Sequence, residues 1–286
     1  MSILSNKKGK QHALVVEGGA MRGIFAAGVL DTFIQENYYP FTHSYGVSAG
    51  ASNVAGYLAK MYGRNYKVFT DYMLRKELNS IFRFLKGGHY MDLDWLWDIT
   101  KKEVPLDIDR ILSSPILEKI IVTNAVTGKA EYLEPKREEY IELLKASSAI
   151  PVFYKSFPMV RGVEYSDGGI ADPIPAEKAW QDGAEIITVI RSRPYSFSMK
   201  KKKPSLLVRS VLQKRKALYN TLEKRPQTYN SQVCFLRRPP EGVEVREINP
   251  PEELKLARMT SDKAVLDAGY YAGKEAGKTY LQGYMH

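Results

Sequence analysis

Cysteine is nearly missing from this chain. Cys234 stands alone, which excludes an intramolecular disulfide and any metal site built from several thiolates, and a core or strand position is expected for it. Histidine is almost as scarce. His12, His43, His89 and His286 show no His-Glu-x-x-His or related spacing, so neither a histidine-rich metal centre nor a cofactor is expected. Long apolar runs are absent as well. No stretch reaches the roughly 18 uninterrupted apolar residues that a membrane span needs, and Met1 to Lys10 is too polar for a secretory leader. A cytoplasmic location is the simplest expectation.

What is present fits a folded protein of ordinary composition. The 286 residues are 44% hydrophobic and 26% charged, enough for a substantial core. One domain is expected, with a core over about 12–192 and a basic amphipathic and C-terminal region over about 193–286. The formal charge of +10 is unevenly spread. Twelve Lys or Arg residues lie between Arg191 and Arg225, among them Lys200, Lys201, Lys202 and Lys203, against one acid, Glu223. Within that segment Leu206, Leu207, Val211, Leu212, Leu218, Tyr219 and Leu222 recur at helical spacing. It is either a helix packed on the domain with a solvated charged face, or an attachment to an anionic membrane surface through Lys200 to Lys203. No nucleic-acid partner is expected, since neither stacking aromatics nor a recognition motif accompanies the charge.

Ala13 to Val16 reads as a short buried strand that leads into Glu17-Gly18-Gly19-Ala20-Met21-Arg22-Gly23 and then a helical run through Ile34. Strand, glycine loop and helix make a backbone anion cradle. A dinucleotide fingerprint is only loosely matched by Gly18-x-Ala20-x-x-Gly23, and no acid closes the next strand. Gly273, Gly277, Lys278 and Thr279 imitate a phosphate loop, with one residue too few between the glycines. Gly46-Val47-Ser48-Ala49-Gly50 lies between a strand-like run, Phe41 to Tyr45, and a helix-like one, Ala51 to Met61. A sharp bend there exposes the serine hydroxyl, and small neighbours permit the bend.

Farther on, Asn53 to Lys86 is expected to be mainly helical. Tyr90 to Trp97, with Asp92, Asp94 and Asp98, is expected as an amphipathic surface segment or a lid near an apolar pocket, with metal ligation as the alternative for the acids. Strands are expected at Lys119 to Ala125, Ala130 to Leu133, Val163 to Tyr165, Glu185 to Ile190, Gln232 to Leu236 and Val243 to Ile248. Helices are expected at Glu138 to Ser148, after Pro175 to about Gln181, and over Pro251 to Gly283. Asp167-Gly168-Gly169 by itself reads as a hairpin turn. The alternation from Ala13 to Ile190 predicts an α/β fold with a mainly parallel central sheet.

Acyl transfer needs a nucleophile, a base and donors for the developing oxyanion. Ser48 can be the first, and backbone N–H groups of Gly18 to Gly23 the third, with Arg22 placed to fix the loop or add positive charge. A Ser-His-Asp triad lacks a well-placed histidine, since His286 is terminal and His89 stands in a surface stretch. Asp167 is then the candidate base.

These three motifs, with Ala146 to Pro151 before the aspartate and Asp172-Pro173 after it, occur in the order and spacing of the patatin-like phospholipase family. From Ala13 to Arg191 the chain resembles bacterial members. The resemblance implies a three-layer patatin-like α/β fold with a nucleophile elbow and a C-terminal helical extension. It also implies a serine acyl hydrolase of phospholipase A or lysophospholipase type, acting on a lipid or acyl ester without metal. Ser48 would be the nucleophile and Asp167 the base. The oxyanion hole would use the N–H groups of Gly19 and Ala20, with Arg22 in the motif's basic position. Gly18, Gly23, Gly46, Gly50, Gly168 and Gly169 are the motif glycines. Family members usually carry a third glycine where this chain has Ala20, and a left-handed backbone there would cost alanine about 1 kcal/mol or more. The expected location is cytoplasmic, with peripheral contact at the inner membrane surface as an option. A non-catalytic lipid or membrane-surface adaptor that keeps the fold is the alternative.

Overall fold

A computed structural model describes residues 10–284; the polar stretch before residue 10 and His286 lie outside the described residues. The chain begins with β1 (His12–Val16), a 3-10 turn (Ala20–Arg22), α1 (Gly23–Gln35), β2 (His43–Val47) and α2 (Ala49–Leu58). Helices α3 (Arg64–Thr70), α4 (Ile81–Leu85), α5 (Leu93–Glu103) and α6 (Ile108–Leu112) follow. Then come β3 (Leu117–Asn124), β4 (Ala130–Leu133), α7 (Tyr140–Ser148), β5 (Met159–Val160), β6 (Val163–Asp167), α8 (Ala176–Gln181) and β7 (Ile186–Ile190). The last elements are α9 (Leu206–Val211), α10 (Lys216–Arg237), β8 (Glu244–Ile248) and α11 (Lys263–Tyr284).

The strands form one sheet in the order β5-β6-β3-β2-β1-β7-β8, with β4 also paired to β3. Neighbours from β3 through β8 run parallel, as the alternating pattern predicts, and β4, β5 and β6 are antiparallel additions. Because successive side chains of a strand point to opposite faces, β1 feeds two cores. Ala13 and Val15 join Tyr45, Val47, Ile121 and Ile187 on the face covered by α8 and α10. Leu14 and Val16 join the larger core on the other face, with α1, α2, α7 and α11. Helix, sheet and helix layers result.

Register along β3 positions the site. One edge of β3 pairs with β4 at Ile120 to Thr123. The opposite edge is shared: parallel β2 occupies it up to Val47 against Ile121, and antiparallel β6 takes over at Asp167 against Val122. The C-terminal ends of β2 and β6 therefore meet head to head, with Ser48 following one and Asp167 closing the other.

Four local expectations are corrected. Gln232 to Leu236 is the last part of α10, because Tyr229, Val233 and Leu236 fall on one buried helical stripe. Cys234 sits between those positions and is exposed. Asp167-Gly168-Gly169 is no hairpin: β6 ends there and a 3-10 turn turns the chain away over the Ile121 carbonyl. The Leu206 to Leu222 run is split into α9 and α10, with Leu212 buried at the break, whereas Asn53 to Lys86 is mainly helical as expected, in short pieces.

Candidate active site

Ser48 lies on the turn between β2 and α2 with φ +54° and ψ −125°, a conformation few side-chain-bearing residues adopt. The flanking glycines make the turn possible. A Cβ on Gly46 would lie 2.5 Å from Ala51 Cα, and one on Gly50 would collide with the Val16 carbonyl oxygen. Ser48 N–H donates to Ser147 Oγ at 2.8 Å, and that hydroxyl donates to the Ile121 carbonyl at 2.7 Å. Ser147, from the small-residue end of α7, thus pins the bend to β3. The first turn of α2 points its N–H groups and positive dipole end toward the serine.

Asp167 is fixed on every side. Its N–H donates to Ala149 O at 3.0 Å, and Thr123 Oγ1 donates to its carbonyl at 2.8 Å. Gly169 N–H donates to Oδ1 at 2.8 Å. Burial raises the carboxyl pKa above the ordinary aspartate value, opposed by the Ser48 hydroxyl, the Gly169 N–H and the charges of Arg225 and Arg258. Ser48 and Asp167 line one cavity, and among the described hydrogen bonds none joins the two side chains.

The glycine loop is braced from beneath. Glu17 accepts from Ser192 N–H at 2.8 Å and from Arg191 Nε at 3.1 Å, and Arg191 also reaches Glu247 at 2.7 Å and Tyr229 at 2.8 Å. Ser192 Oγ donates to Gly18 O at 2.9 Å, and Arg22 Nε donates to Ser192 O at 3.2 Å. Arg22 is buried as part of this brace. Ala20 adopts φ +49°, while Gly19 is extended at −176°. Among the described hydrogen bonds, the N–H groups of Gly19 and Ala20 have no acceptor, so both are available to a ligand.

Two cavities meet at Ser48, Ala20 and Ile150. One is apolar, walled by Phe69 of α3, Met73, Met91, and Leu93, Leu96 and Trp97 of α5. This is the pocket that the Tyr90 to Trp97 segment borders. Two of its acids have structural partners: Asp92 caps α5 at Trp95 N–H, and Asp94 accepts from Lys145 and Tyr154. The other cavity is the more polar of the two: Gly18, Gly19, Asp167, Arg225 and Arg258 line it together with apolar Ile170 and Leu222. Among the described residues no histidine lines either cavity. His89 accepts from Lys155 N–H and stacks on Tyr154. Gly273, Gly277, Lys278 and Thr279 all lie within α11.

Reading the sequence as a charge profile missed three contributors. Arg191 and Arg225 counted as ends of a basic segment, yet Arg191 is fully buried in ion pairs and Arg225 donates from Nε to the Gly169 carbonyl. Arg258 sits in the irregular segment before α11, in a stretch that was expected to be helical from Pro251 onward. Lys200 to Lys203 do remain exposed, in a stretch without regular structure before α9.

Comparison with known proteins gives two family matches: residues 14–180 match the patatin-like phospholipase model, and residues 215–286 match a domain of unknown function (DUF6363). The chain is 34% identical over 276 residues to the uncharacterized protein YjjU of Escherichia coli (strain K12), spanning 94% of this chain and 76% of that protein. VipD from Legionella pneumophila superposes with a TM-score of 0.46 at 11% identity, over 96% of this chain and 67% of that one.

Proposed function

Because the chain belongs to the patatin-like phospholipase family, which supports lipid acyl hydrolase activity in general, we propose that it cleaves lipid acyl esters through a Ser48–Asp167 dyad and an acyl-serine intermediate. The observation that carries this reading is the junction on β3, where β2 and β6 end head to head beside one cavity. Asp167 accepts the Ser48 proton as Oγ attacks the acyl carbonyl carbon. Its burial favours this role, since a desolvated carboxylate binds a proton more readily. The oxyanion is received by the free N–H groups of Gly19 and Ala20. Collapse of the intermediate expels the alcohol, which takes the proton back from Asp167, and a water activated by the same carboxylate releases the fatty acid. The apolar cavity suits the acyl chain. A fluorophosphonate probe tests this: covalent label mapped to Ser48 in the parent protein and lost in Ser48→Ala is expected, and an unlabelled parent would favour the adaptor reading.

A peripheral contact with anionic membrane, at a cytoplasmic surface, is proposed alongside. Lys200 to Lys203 are exposed next to Leu206, which is 83% exposed at the start of α9. Each basic residue near an anionic surface contributes about 1 kcal/mol. Binding to anionic vesicles should weaken with salt and on replacing the four lysines by glutamine; binding insensitive to both would defeat the proposal.

A further inference from the structure

The polar cavity beside Ser48 holds two guanidinium groups that the hydrolytic steps do not use. Arg225 comes from α10 and Arg258 from the segment before α11. Among the described ion pairs neither has a carboxylate partner. Arg225 spends Nε on the Gly169 carbonyl and has Nη1 3.6 Å from Met199 Sδ. The Arg258 side chain makes no hydrogen bond among the described residues, while its carbonyl accepts from Met21 N–H at 3.2 Å and ties it to the glycine loop. Burial lowers the Arg225 pKa and the Arg258 charge lowers it further, and both arginines act on Asp167. Asp167 is the one carboxylate that lines the cavity with them, so two guanidinium charges face a single carboxylate and leave a net positive charge that a further anion can offset. Guanidinium groups suit phosphate oxygens because their donors form a planar fork.

The two cavities also divide an ester at its reacting carbon. With the acyl chain in the apolar cavity, the leaving alcohol lies in the polar one. We propose that Arg225 and Arg258 form a subsite for a phosphate ester on the leaving-group side, so that an acyl ester carrying a phosphate there is held in preference to its neutral counterpart. This rests on the acyl-hydrolase reading and assigns it a specificity determinant drawn from the C-terminal region.

Binding to the Ser48→Ala protein, which cannot turn over, tests the subsite by isothermal titration. The ligands are a short-chain lysophosphatidylglycerol, the monoacylglycerol with the same chain, and glycerol 3-phosphate. Hydrogen bonds to a charged group correspond to about tenfold or more in affinity, so the lysophospholipid should exceed the neutral lipid by that factor. The advantage should vanish with Arg258→Gln added and survive in part with Arg258→Lys. Equal affinity for the two lipids, or an advantage that Arg258→Gln leaves intact, overturns the subsite. Glycerol 3-phosphate binding as tightly as the lysophospholipid overturns the lipid assignment in favour of a free phosphate-ester site. Failure of the hydrolase reading would appear separately, as absence of fatty-acid release by the parent protein.

Discussion

Ser48 and Ala20 line both cavities with φ of +54° and +49°, a region that costs a side-chain-bearing residue about 1–3 kcal/mol. At Ser48 the close approach of Gly46 to Ala51 and the Ser147 bond hold the strained turn. At Ala20 the Arg22–Ser192–Glu17 brace does the same for the loop. Asp167 adds a kinetic consequence. Its folded pKa is raised by burial, so the base is lost as pH falls through a value above the ordinary aspartate range. The acid limb of kcat/KM should therefore lie above that range, and Asp167→Asn should lose about 10²–10⁴ in kcat. A limb at the ordinary aspartate value, or activity retained in the asparagine variant, contradicts the assignment. Ser48 and Asp167 were legible in the sequence because tight approaches force glycine beside them. Arg225 and Arg258 were not, since only the folded chain brings α10 and the segment before α11 to the loop.

At the scale of elements, the closest packing joins α1 and α11. A Cβ on Gly28 would collide with the Tyr270 carbonyl, and one on Gly273 with the Phe25 carbonyl, so the two helices cross with their backbones nearly touching. Gly28→Ala should destabilise the protein by about 1–3 kcal/mol or more, read as a lower midpoint in chemical denaturation; an unchanged midpoint would show that the helices can separate at no cost. Gly273 and Gly277 first resemble a phosphate loop, and their role is this contact: Gly277 packs on Thr32 of α1. Short apolar runs were the elements least legible from sequence. Gln232 to Leu236 is compatible with a strand in isolation, and only the longer stripe through Tyr229 makes it helical. Strands β1 and β7 were legible because they are buried on both faces and carry few polar residues, and β3 was legible from its apolar Ile120-Ile121-Val122 centre.

Across the whole molecule, the region beyond residue 192 is built into the same sheet and core. Strand β8 pairs with β7, and Leu266, Tyr270, Tyr280 and Leu281 of α11 complete the larger core. Glu118 of β3 gives the fold a pH dependence. Burial pushes its pKa up to about 8, against a hydrogen bond from Tyr140 OH at 2.7 Å, and Oε1 has no partner among the described residues. A carboxyl raised in the fold contributes stability that is complete below its unfolded pKa of 4.5 and is lost as pH rises through 8. Glu118→Gln should thus be more stable than the parent by a few kcal/mol at pH above about 8, with the difference shrinking toward acid. His12, held near 4 by burial, opposes this below its ordinary 6.5 in both proteins and cancels in the comparison. A difference that is flat with pH contradicts the buried neutral carboxyl.

The formal charge of +10 is likewise a property of the whole chain that the sequence placed only in part. Lys200 to Lys203 face solvent, whereas Arg191 braces the glycine loop and Arg225 borders Asp167. Linear charge counting cannot separate these, because burial and pairing are set by the fold. The measurement that bears most directly on the dyad is fatty-acid release from a lysophospholipid by the purified parent and its Ser48→Ala variant under identical conditions. Release by the parent and background release by the variant is expected; release by Ser48→Ala at the parent's rate would contradict a serine acyl hydrolase built on this turn.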